Sequence, residues 1–491
     1  MATTHTASCK CSPRLRRRRR CRCPVPHRAT LPQYEPTTPP AQASDQAVPK
    51  SIQQASVEER PQPTAAARSF SRFSVRLVRP GAPLRQPVSS TAGASAAALN
   101  GVCVLPALLM VLARGARLVA LATLAGVALN TNLRRNAMYA LKAVQFLVHG
   151  SWSYTRGGFE KHQRAYFRAE DVAVDLHDKH VLITGANSGI GYCAAEALGL
   201  RGATVHLLCR NSERGEAAKM RLVQKLSERT GAATGVSVST SAAERVHLHV
   251  VDVSEAHSIR LFVQDYLERG FPAPNVLVHN AGAMTSPWKA TSEGVEVNFA
   301  TNVMGPVLLT DLLLPSMLQS DSGDHRVIFV TSAGMLTERL ETKDLEWRDR
   351  ARFDATRQYA KNKRQQVAIV EQYARTVSPD KVLFVACHPG WAETPLVQEA
   401  MPGFYARLRG SLRTADQGAD TIVWLSCVPR SRIEDGMLYF DRNIVPKHLP
   451  LSDTSYHVRD AEELLRKVRQ RIDEISAKAE SSAARVAGAE T

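Results

Sequence analysis

A tyrosine and a lysine one helical turn apart are the first residues of this sequence whose types and spacing could do chemistry. In "YAKNK", Tyr359 precedes Lys363 by four residues, which places both on one face of a helix. A carbonyl that accepts a hydride develops negative charge on its oxygen and needs a proton donor within hydrogen-bond reach. A phenol has a pKa of about 10, and a nearby ammonium group lowers it. The pair is therefore a candidate for acid/base chemistry, although the spacing taken alone is typical of a solvated helix surface.

A glycine-rich turn supplies a candidate dinucleotide site. The stretch "LITGANSGIGYCAAEAL" places three glycines directly after an apolar run and at the opening of a helical one. Glycines let such a turn approach a pyrophosphate, which binds free amides and the positive end of the helix dipole. The spacing G-x-x-x-G-x-G departs from the commoner G-x-G-x-x-G, and by itself it fits a purely structural turn equally well. The candidate cofactor contacts here are Gly185, Asn187, Ser188, Gly189, Ile190 and Gly191.

The ends of the next two apolar runs bear on which dinucleotide binds. "CRNSERG" presents Arg210 where NAD-binding proteins usually present an acid to the ribose. A guanidinium pairs with a 2′-phosphate through two hydrogen bonds, so the sequence predicts NADP(H) over NAD(H). A surface arginine at a strand end is the alternative, because Ser188 adds no second basic contact. "VVDVS" then places Asp252 and Val253 near the expected adenine, with a helix N-cap as the other role for Asp252.

Short apolar runs that alternate with amphipathic segments must position these residues. This alternation is typical of βαβ units and predicts an α/β fold: a Rossmann-type, doubly wound, mainly parallel seven-stranded sheet in an α-β-α sandwich. A terminal amphipathic helix is predicted over 460–478. The predicted strands are 180–184, 204–209, 246–251, 275–279, 326–331, 382–387 and 437–440.

Further motifs occur in an order that resembles the short-chain dehydrogenase/reductase superfamily. They are "NAGAM" at 280–284, "NVMG" at 302–305, "VTSAG" at 330–334 and "HPGWAET" at 388–394, in addition to the glycine turn and Y-x-x-x-K. The stretches "GFEKHQRAYF", "EAMPGFYARL", "ADQGADTIVWL" and "KHLPL" are similar to the member-twelve dehydrogenase/reductase subgroup. The resemblance covers residues 138–478, which we take as one domain.

The resemblance implies roles for individual residues. Tyr359 would be the acid/base, Lys363 would tune it and contact the nicotinamide ribose, and Ser332 would hydrogen-bond the substrate oxygen. Asn302 would anchor a water that leads protons to Lys363. Many relatives have a second serine where this chain has Thr331, so either hydroxyl is a candidate for the substrate contact. The remaining cofactor contacts implied are Asn280, Ala281, Gly282, Tyr359, Pro389, Gly390 and Thr394.

The implied activity is hydride transfer between NADP(H) and a small, lipophilic carbonyl or alcohol. A non-catalytic dinucleotide-binding sensor or scaffold on the same fold is the alternative. The family resemblance also implies a homodimer. No metal site is predicted, because the cysteines lack the spacing of structural zinc ligands, and their scatter indicates a reduced, intracellular protein.

The first part of the chain differs from the rest in charge. Residues 1–137 hold 20 basic and 4 acidic residues, whereas the remainder holds 43 basic and 42 acidic ones, so no nucleic-acid partner is predicted for the folded domain. Residues 1–97 are predicted to be a disordered basic extension. The extension resembles an organelle (mitochondrial or plastid) transit peptide; alternatives are an over-extended reading frame, which would leave the protein cytoplasmic, a solvated tail, or a nucleic-acid-binding arm.

An apolar stretch at 101–129, within a segment spanning 98–137, is long enough to cross a bilayer. Arg114 and Arg117 interrupt it, and each costs about 2.5–3.5 kcal/mol at mid-bilayer. Weak membrane contact is therefore predicted rather than a spanning helix. Residues 479–491 are predicted to be a disordered tail.

Overall fold

The computed structural model describes residues 131–234 and 239–487. The basic extension and the apolar stretch at 101–129 lie outside the described residues. Helix α1 (Thr131–Ser153) begins before the domain boundary expected at residue 138, and its Lys142 Nζ contacts Asp453 Oδ1 at 2.8 Å. The helix therefore belongs to the folded domain, because this ion pair joins it to a distant part of the chain.

The predicted Rossmann-type sheet is confirmed, with eight strands in the order β3-β2-β1-β4-β5-β6-β7-β8. Strands β1 to β7 pair in parallel, and β8 pairs antiparallel with β7. The expected count of seven is one too low, because β8 has only two residues and follows β7 through a turn in which Asp441 and Arg442 have positive φ. The strands are β1 (His180–Thr184), β2 (Thr204–Cys209), β3 (Val246–Val250), β4 (Val276–His279), β5 (His325–Val330), β6 (Val382–Cys387), β7 (Leu438–Phe440) and β8 (Asn443–Ile444).

Helices cover both faces of the sheet and give two buried cores. Along β1, Leu182 faces one core while Val181 and Ile183 face the other, as the two-residue period of a strand requires. Strands buried on both faces read as continuous apolar runs, which is why most were visible in the sequence. After α1 the helices are α2 (Arg156–Tyr166), α3 (Gly189–Gly199), α4 (Ser212–Thr234), α5 (Ser239–Glu244), α6 (Ala256–Glu268), α7 (Val297–Gln319), α8 (Ala355–Thr376), α9 (Pro395–Ala400), α10 (Pro402–Leu408), α11 (Ala415–Cys427) and α12 (Val458–Ala487).

Helix α7 has a local irregularity at a predicted site residue. Its segment Ala300–Met304 has π-helical hydrogen bonding and contains Asn302. Within the described part of the chain, α7 is also the one helix long and apolar enough to cross a membrane, and 78% of its apolar window is buried inside the domain. Such burial is typical of a core helix.

The terminal helix is longer than expected. Helix α12 begins at Val458 and continues to Ala487, past the predicted end at residue 478. The prediction of a disordered tail is therefore wrong for residues 479–487. The physical reason is the alanine-rich composition of this stretch, since alanine has the highest helix propensity.

Candidate active site

The carboxyl ends of the parallel strands open into one cavity of about 1270 Å³. The β1–α3 turn forms part of its wall, and Gly185 and Gly189 have φ of +67° and +55°, values that glycine adopts without strain. The N-cap residue Ser188 makes no side-chain hydrogen bond to the first turn of α3. The first amides of this helix are therefore available to an anion in the cavity.

A polar contact from the neighbouring strand end fixes the glycine turn. Asn280 Nδ2 donates to Thr184 O at 2.9 Å, and the amides of Asn280 and Ala281 both donate to Thr184 Oγ1 at 3.0 Å. A Cβ at Gly191 would lie 2.4 Å from Asn280 Nδ2 and 2.6 Å from Gly185 O. Asn280 thus has a clear positioning role, and Gly191 is required by close packing.

The cavity wall at the β2 end carries the residues that bear on cofactor choice. Arg210 is exposed, with its Nε 3.8 Å from Asp252 Oδ2. Asp252 Oδ1 accepts from the amide and hydroxyl of Ser254 at 2.9 and 2.6 Å, whereas the N-cap of α6 is Glu255. The N-cap alternative for Asp252 is therefore wrong. Arg214 also lines the cavity here and was missed, because nothing in the sequence distinguishes an arginine in the first turn of a helix.

Tyr359 and Ser332 meet on the cavity wall. Tyr359 is half-buried on α8, and its hydroxyl hydrogen-bonds Ser332. Burial raises the pKa of Tyr359 to about 12, and the Ser332 hydrogen bond opposes this rise. Thr331 is buried, and its Oγ1 donates to Lys363 O at 2.8 Å. Of the two hydroxyls, only that of Ser332 is directed to Tyr359.

Lys363 lies beside Tyr359, and its amine is bound by a backbone carbonyl. Its Nζ is 5.3 Å from the centre of the Tyr359 ring and donates to Val330 O at 2.8 Å. Burial lowers the pKa of Lys363 to about 7, so the amine is only partly charged near neutral pH. The pKa of Tyr359 is raised by burial in this structure, and its lowering by Lys363 stays a prediction.

Asn302 is buried near Lys363, and protein groups hydrogen-bond both its side chain and its backbone carbonyl. Its side chain exchanges two hydrogen bonds with the Ala283 backbone, at 2.8 and 3.0 Å. Its carbonyl accepts from Gln366 Nε2 at 2.7 Å. An ideal Cβ on Gly282 would lie 3.4 Å from Asn302 Oδ1 and 3.8 Å from Lys363 Nζ, so these groups meet at the end of β4.

The loop after β6 closes the cavity beside these residues. Gly390 has φ +73°, and a Cβ there would lie 2.5 Å from Arg413 Nε. Arg413 forms a buried ion pair with Asp441 and donates to Tyr154 O at 3.0 Å, which ties the loop to the end of α1. Pro389 and Thr394 line the cavity, and the Thr394 hydroxyl also caps α9 by accepting from Val397 N at 3.3 Å.

The far end of the cavity is apolar. Its walls come from elements on which the sequence predicted no site residue. Helix α1 contributes one side, and the α9–α10 region contributes the other. No local motif marks them. Apolar side chains at this end include Phe146, Leu147, Met284, Met401 and Phe404.

Across the described residues, no group of three or more His, Cys, Asp or Glu side chains is arranged to hold a metal ion. His388 and Cys387 are buried, and burial lowers the pKa of His388 to about 3 and raises that of Cys387 to about 12. At neutral pH the His388 imidazole is therefore neutral and the Cys387 thiol keeps its proton.

Known proteins share this architecture. The family profile described as "short chain dehydrogenase" matches residues 179–342. The chain is 37% identical over 329 residues to "Dehydrogenase/reductase SDR family member 12" of Bos taurus, covering 67% of this chain and 96% of that protein. The chain belongs to the short-chain dehydrogenase/reductase family. Members of this family are oxidoreductases whose Rossmann-type fold binds NAD(P) and which act on small molecules.

The chain is also similar to two further proteins. The chain is 30% identical over 281 residues to "Retinol dehydrogenase 14" of Mus musculus, covering 55% of this chain and 81% of that one. A solved structure of an uncharacterised protein from Mycobacterium paratuberculosis is 25% identical, with a TM-score of 0.45, covering 61% of this chain and 96% of that one.

Proposed function

We propose that the protein transfers a hydride between NADP(H) and a small, lipophilic carbonyl or alcohol, with Tyr359 as the acid/base. One observation carries this proposal: the hydrogen-bonded hydroxyls of Tyr359 and Ser332 face a single cavity that is glycine-lined at one end and apolar at the other. A substrate carbonyl at that point would meet both a proton donor and a second hydrogen-bond donor.

The residues at the glycine-lined end fit a phosphorylated dinucleotide. The first amides of α3 suit the diphosphate, and the exposed guanidinium of Arg210, with Arg214 beside it on the cavity wall, suits a 2′-phosphate. Asp252 would face the adenine, and Asn280 to Gly282, Pro389, Gly390 and Thr394 would line the remaining length. When bound, NADP(H) supplies or accepts the hydride.

Tyr359 is suited to proton donation in the direction of carbonyl reduction. With its pKa raised to about 12, the phenol keeps its proton at neutral pH and can give it to a developing alkoxide. Ser332 would share the negative charge of that oxygen. Lys363 would supply positive charge as Tyr359 loses its proton, and Asn302 would anchor a water that leads protons to Lys363.

The test uses purified full-length protein, NADPH and a panel of lipophilic aldehydes and ketones. Tyr359→Phe should lower kcat by about 10²–10⁴-fold and change NADPH binding little, because the ring stays and only the hydroxyl group that carries the transferable proton is removed. Tyr166→Phe, at a partly exposed tyrosine on α2, is the matched control and should turn over like the wild type. Wild-type turnover by Tyr359→Phe would show that the mechanism is wrong. Tight NADPH binding without turnover of any compound would favour the sensor or scaffold instead.

Three proposals concern the chain around this site. Residues 1–97 would direct the protein to an organelle, residues 101–129 would make weak membrane contact, and two chains would pair as a homodimer. Imaging of a fluorescent fusion of residues 1–137 tests the first two, and light scattering of the purified protein tests the third.

A further inference from the structure

The outward side of helix α1 is apolar and carries no charge. From Asn136 to Ser153 the one charged residue, Lys142, is buried and paired with Asp453. Surface helices of globular proteins normally present charged residues to water. The large apolar side chains exposed on this helix are Tyr139, Leu141, Val144, Leu147, Val148 and Trp152, and the side chain of Trp152 is 75% exposed.

The opposite side of the same helix lines the substrate end of the cavity. Ala143 and Phe146 belong to the cavity wall, and Phe146 packs against Trp391 with the ring centres 5.8 Å apart. Tyr139 and Leu147 both line the cavity and are exposed, at 44% and 51%. These two residues therefore mark the rim where the cavity meets the outer apolar side of α1.

The chain that precedes α1 indicates what covers this apolar side. The stretch 101–129 is apolar and ends directly before Thr131, the first residue of α1. In the sequence, Arg134 and Arg135 come soon after this stretch, and basic residues that flank an apolar segment favour anionic lipid headgroups. Trp152, at the other end of the helix, is of a type enriched at membrane interfaces. A lipid surface accommodates an uncharged apolar face that continues from an apolar stretch of chain and ends in an exposed tryptophan.

We infer that the outer face of α1, defined as Leu141, Val144, Val148 and Trp152, lies on a lipid bilayer surface. Substrates then enter the cavity from the lipid past Leu147. This inference rests on the proposed function, and it narrows the substrate to a carbonyl compound with an extended apolar chain that partitions into membranes. The outer face of α1, not only the stretch at 101–129, sets the orientation of the cavity mouth.

Trp152 reports the docking directly. Full-length protein is mixed with phosphatidylcholine and phosphatidylserine vesicles whose acyl chains carry bromine, which quenches tryptophan on contact. The contribution of Trp152 is isolated by subtracting the emission of Trp152→Phe. This readout is needed because the stretch at 101–129 could hold every variant on the vesicles, whereas quenching of Trp152 requires contact of the outer face with lipid.

The face variant is Val144→Glu/Val148→Glu, and the control is Met220→Glu/Leu261→Glu, which places the same charges on exposed apolar residues of α4 and α6. We expect Trp152 of the wild type and of the control to be quenched, and quenching of the face variant to fall by about fivefold or more, because burying a charge in the interface is unfavourable. Absence of Trp152 quenching in the wild type overturns the inference, as does an equal loss in the control. Emission that depends on protein concentration instead of lipid would identify a second copy as the occupant and also overturns it.

A kinetic measurement separates this inference from the proposed function. The face variant should raise the KM of a long-chain aldehyde held in vesicles by about fivefold and leave the KM of a short, water-soluble aldehyde unchanged. An equal effect on both aldehydes contradicts entry from lipid. If neither aldehyde is turned over while Trp152 is still quenched, the proposed function fails and the docking of α1 stands.

Discussion

The two ends of the cavity are built in different ways. The cofactor end consists of strand ends and backbone turns, with Gly191 in close contact with Asn280 and Gly185. The substrate end consists of apolar side chains on helices, such as Phe146 on α1 and Phe404 on α10. A backbone turn accepts few residue types, whereas an apolar wall accepts many. The cofactor end is therefore rigidly specified by sequence, and the substrate end can vary without loss of the fold.

Adding one methyl group at each end gives the largest predicted contrast. Gly191→Ala should raise the Kd for NADPH by about 100-fold, because its Cβ would lie 2.6 Å from Gly185 O, and a backbone oxygen cannot move away cheaply. Gly403→Ala, on α10 at the substrate end, is the matched control, since nothing lies within 4 Å of its added Cβ. Isothermal titration with NADPH measures both. Equal affinities for the two variants would remove the distinction between the ends.

The same contrast explains how far the sequence could be interpreted. Strands β1, β2 and β6 have the predicted bounds, because strands buried on both faces are uninterrupted apolar runs. The cofactor turn was visible because glycine is needed at fixed positions. Phe146 was missed because it lies far from Tyr359 in sequence, and no local pattern shows that α1 folds over the cavity.

The pKa of Tyr359 shows a different limit. Sequence spacing placed Lys363 near Tyr359, and the two do lie close together. The direction of the pKa shift depends on how deeply the phenol is buried, with the hydrogen bond to Ser332 opposing the rise. Burial comes from elements distant in sequence, so spacing alone could not give the direction of the shift.

Removing one charge at the cofactor end should have the second-largest effect. Arg210→Ala should lower kcat/KM with NADPH by about 10-fold and change the value with NADH little, because a hydrogen bond to a charged group contributes about 1.5–3 kcal/mol. Arg459→Ala, at an exposed arginine of α12, is the control. Steady-state kinetics with both cofactors measure the preference. A parallel loss with NADH would mean that Arg210 does not read the 2′-phosphate.

Truncation of an apolar side chain at the substrate end should have a smaller effect. Phe146→Ala should raise the KM of a bulky lipophilic substrate by about fivefold, because part of the apolar contact area is lost, and leave the KM of NADPH unchanged. Leu267→Ala, at a residue that is 45% exposed, is the control. Kinetics with a bulky and a compact substrate check the selectivity. An increased KM for NADPH would show that the two ends are coupled.

Acid should destabilise strands β1 to β3, whose carboxyl ends form part of the cofactor end, through a row of histidines inside the fold. His206 hydrogen-bonds His180 and His249, each at 3.0 Å, across β1, β2 and β3. Burial lowers the pKa of His206 to about 2 and that of His249 to about 4. The unfolded chain, with histidine pKa values of about 6.5, therefore binds more protons than the folded chain below that pH. The stability that the neutral histidines contribute is complete above a pH of about 6.5. It is lost as the pH falls toward the pKa values that these histidines have in the folded chain.

His206→Phe tests this smallest of the four effects. Phenylalanine keeps the aromatic contacts with Tyr266 and Phe271 and cannot be protonated. The drop in unfolding free energy between about pH 7 and pH 5 should be smaller than in the wild type by about 1 kcal/mol, whereas His257→Phe, at an exposed histidine, should leave the drop unchanged. Urea denaturation at the two pH values measures it, and NADPH binding at the same values shows whether the cofactor end is lost first. An unchanged drop in His206→Phe would mean that protonation of this row does not drive acid unfolding, and the two ends would then be equally sensitive to acid.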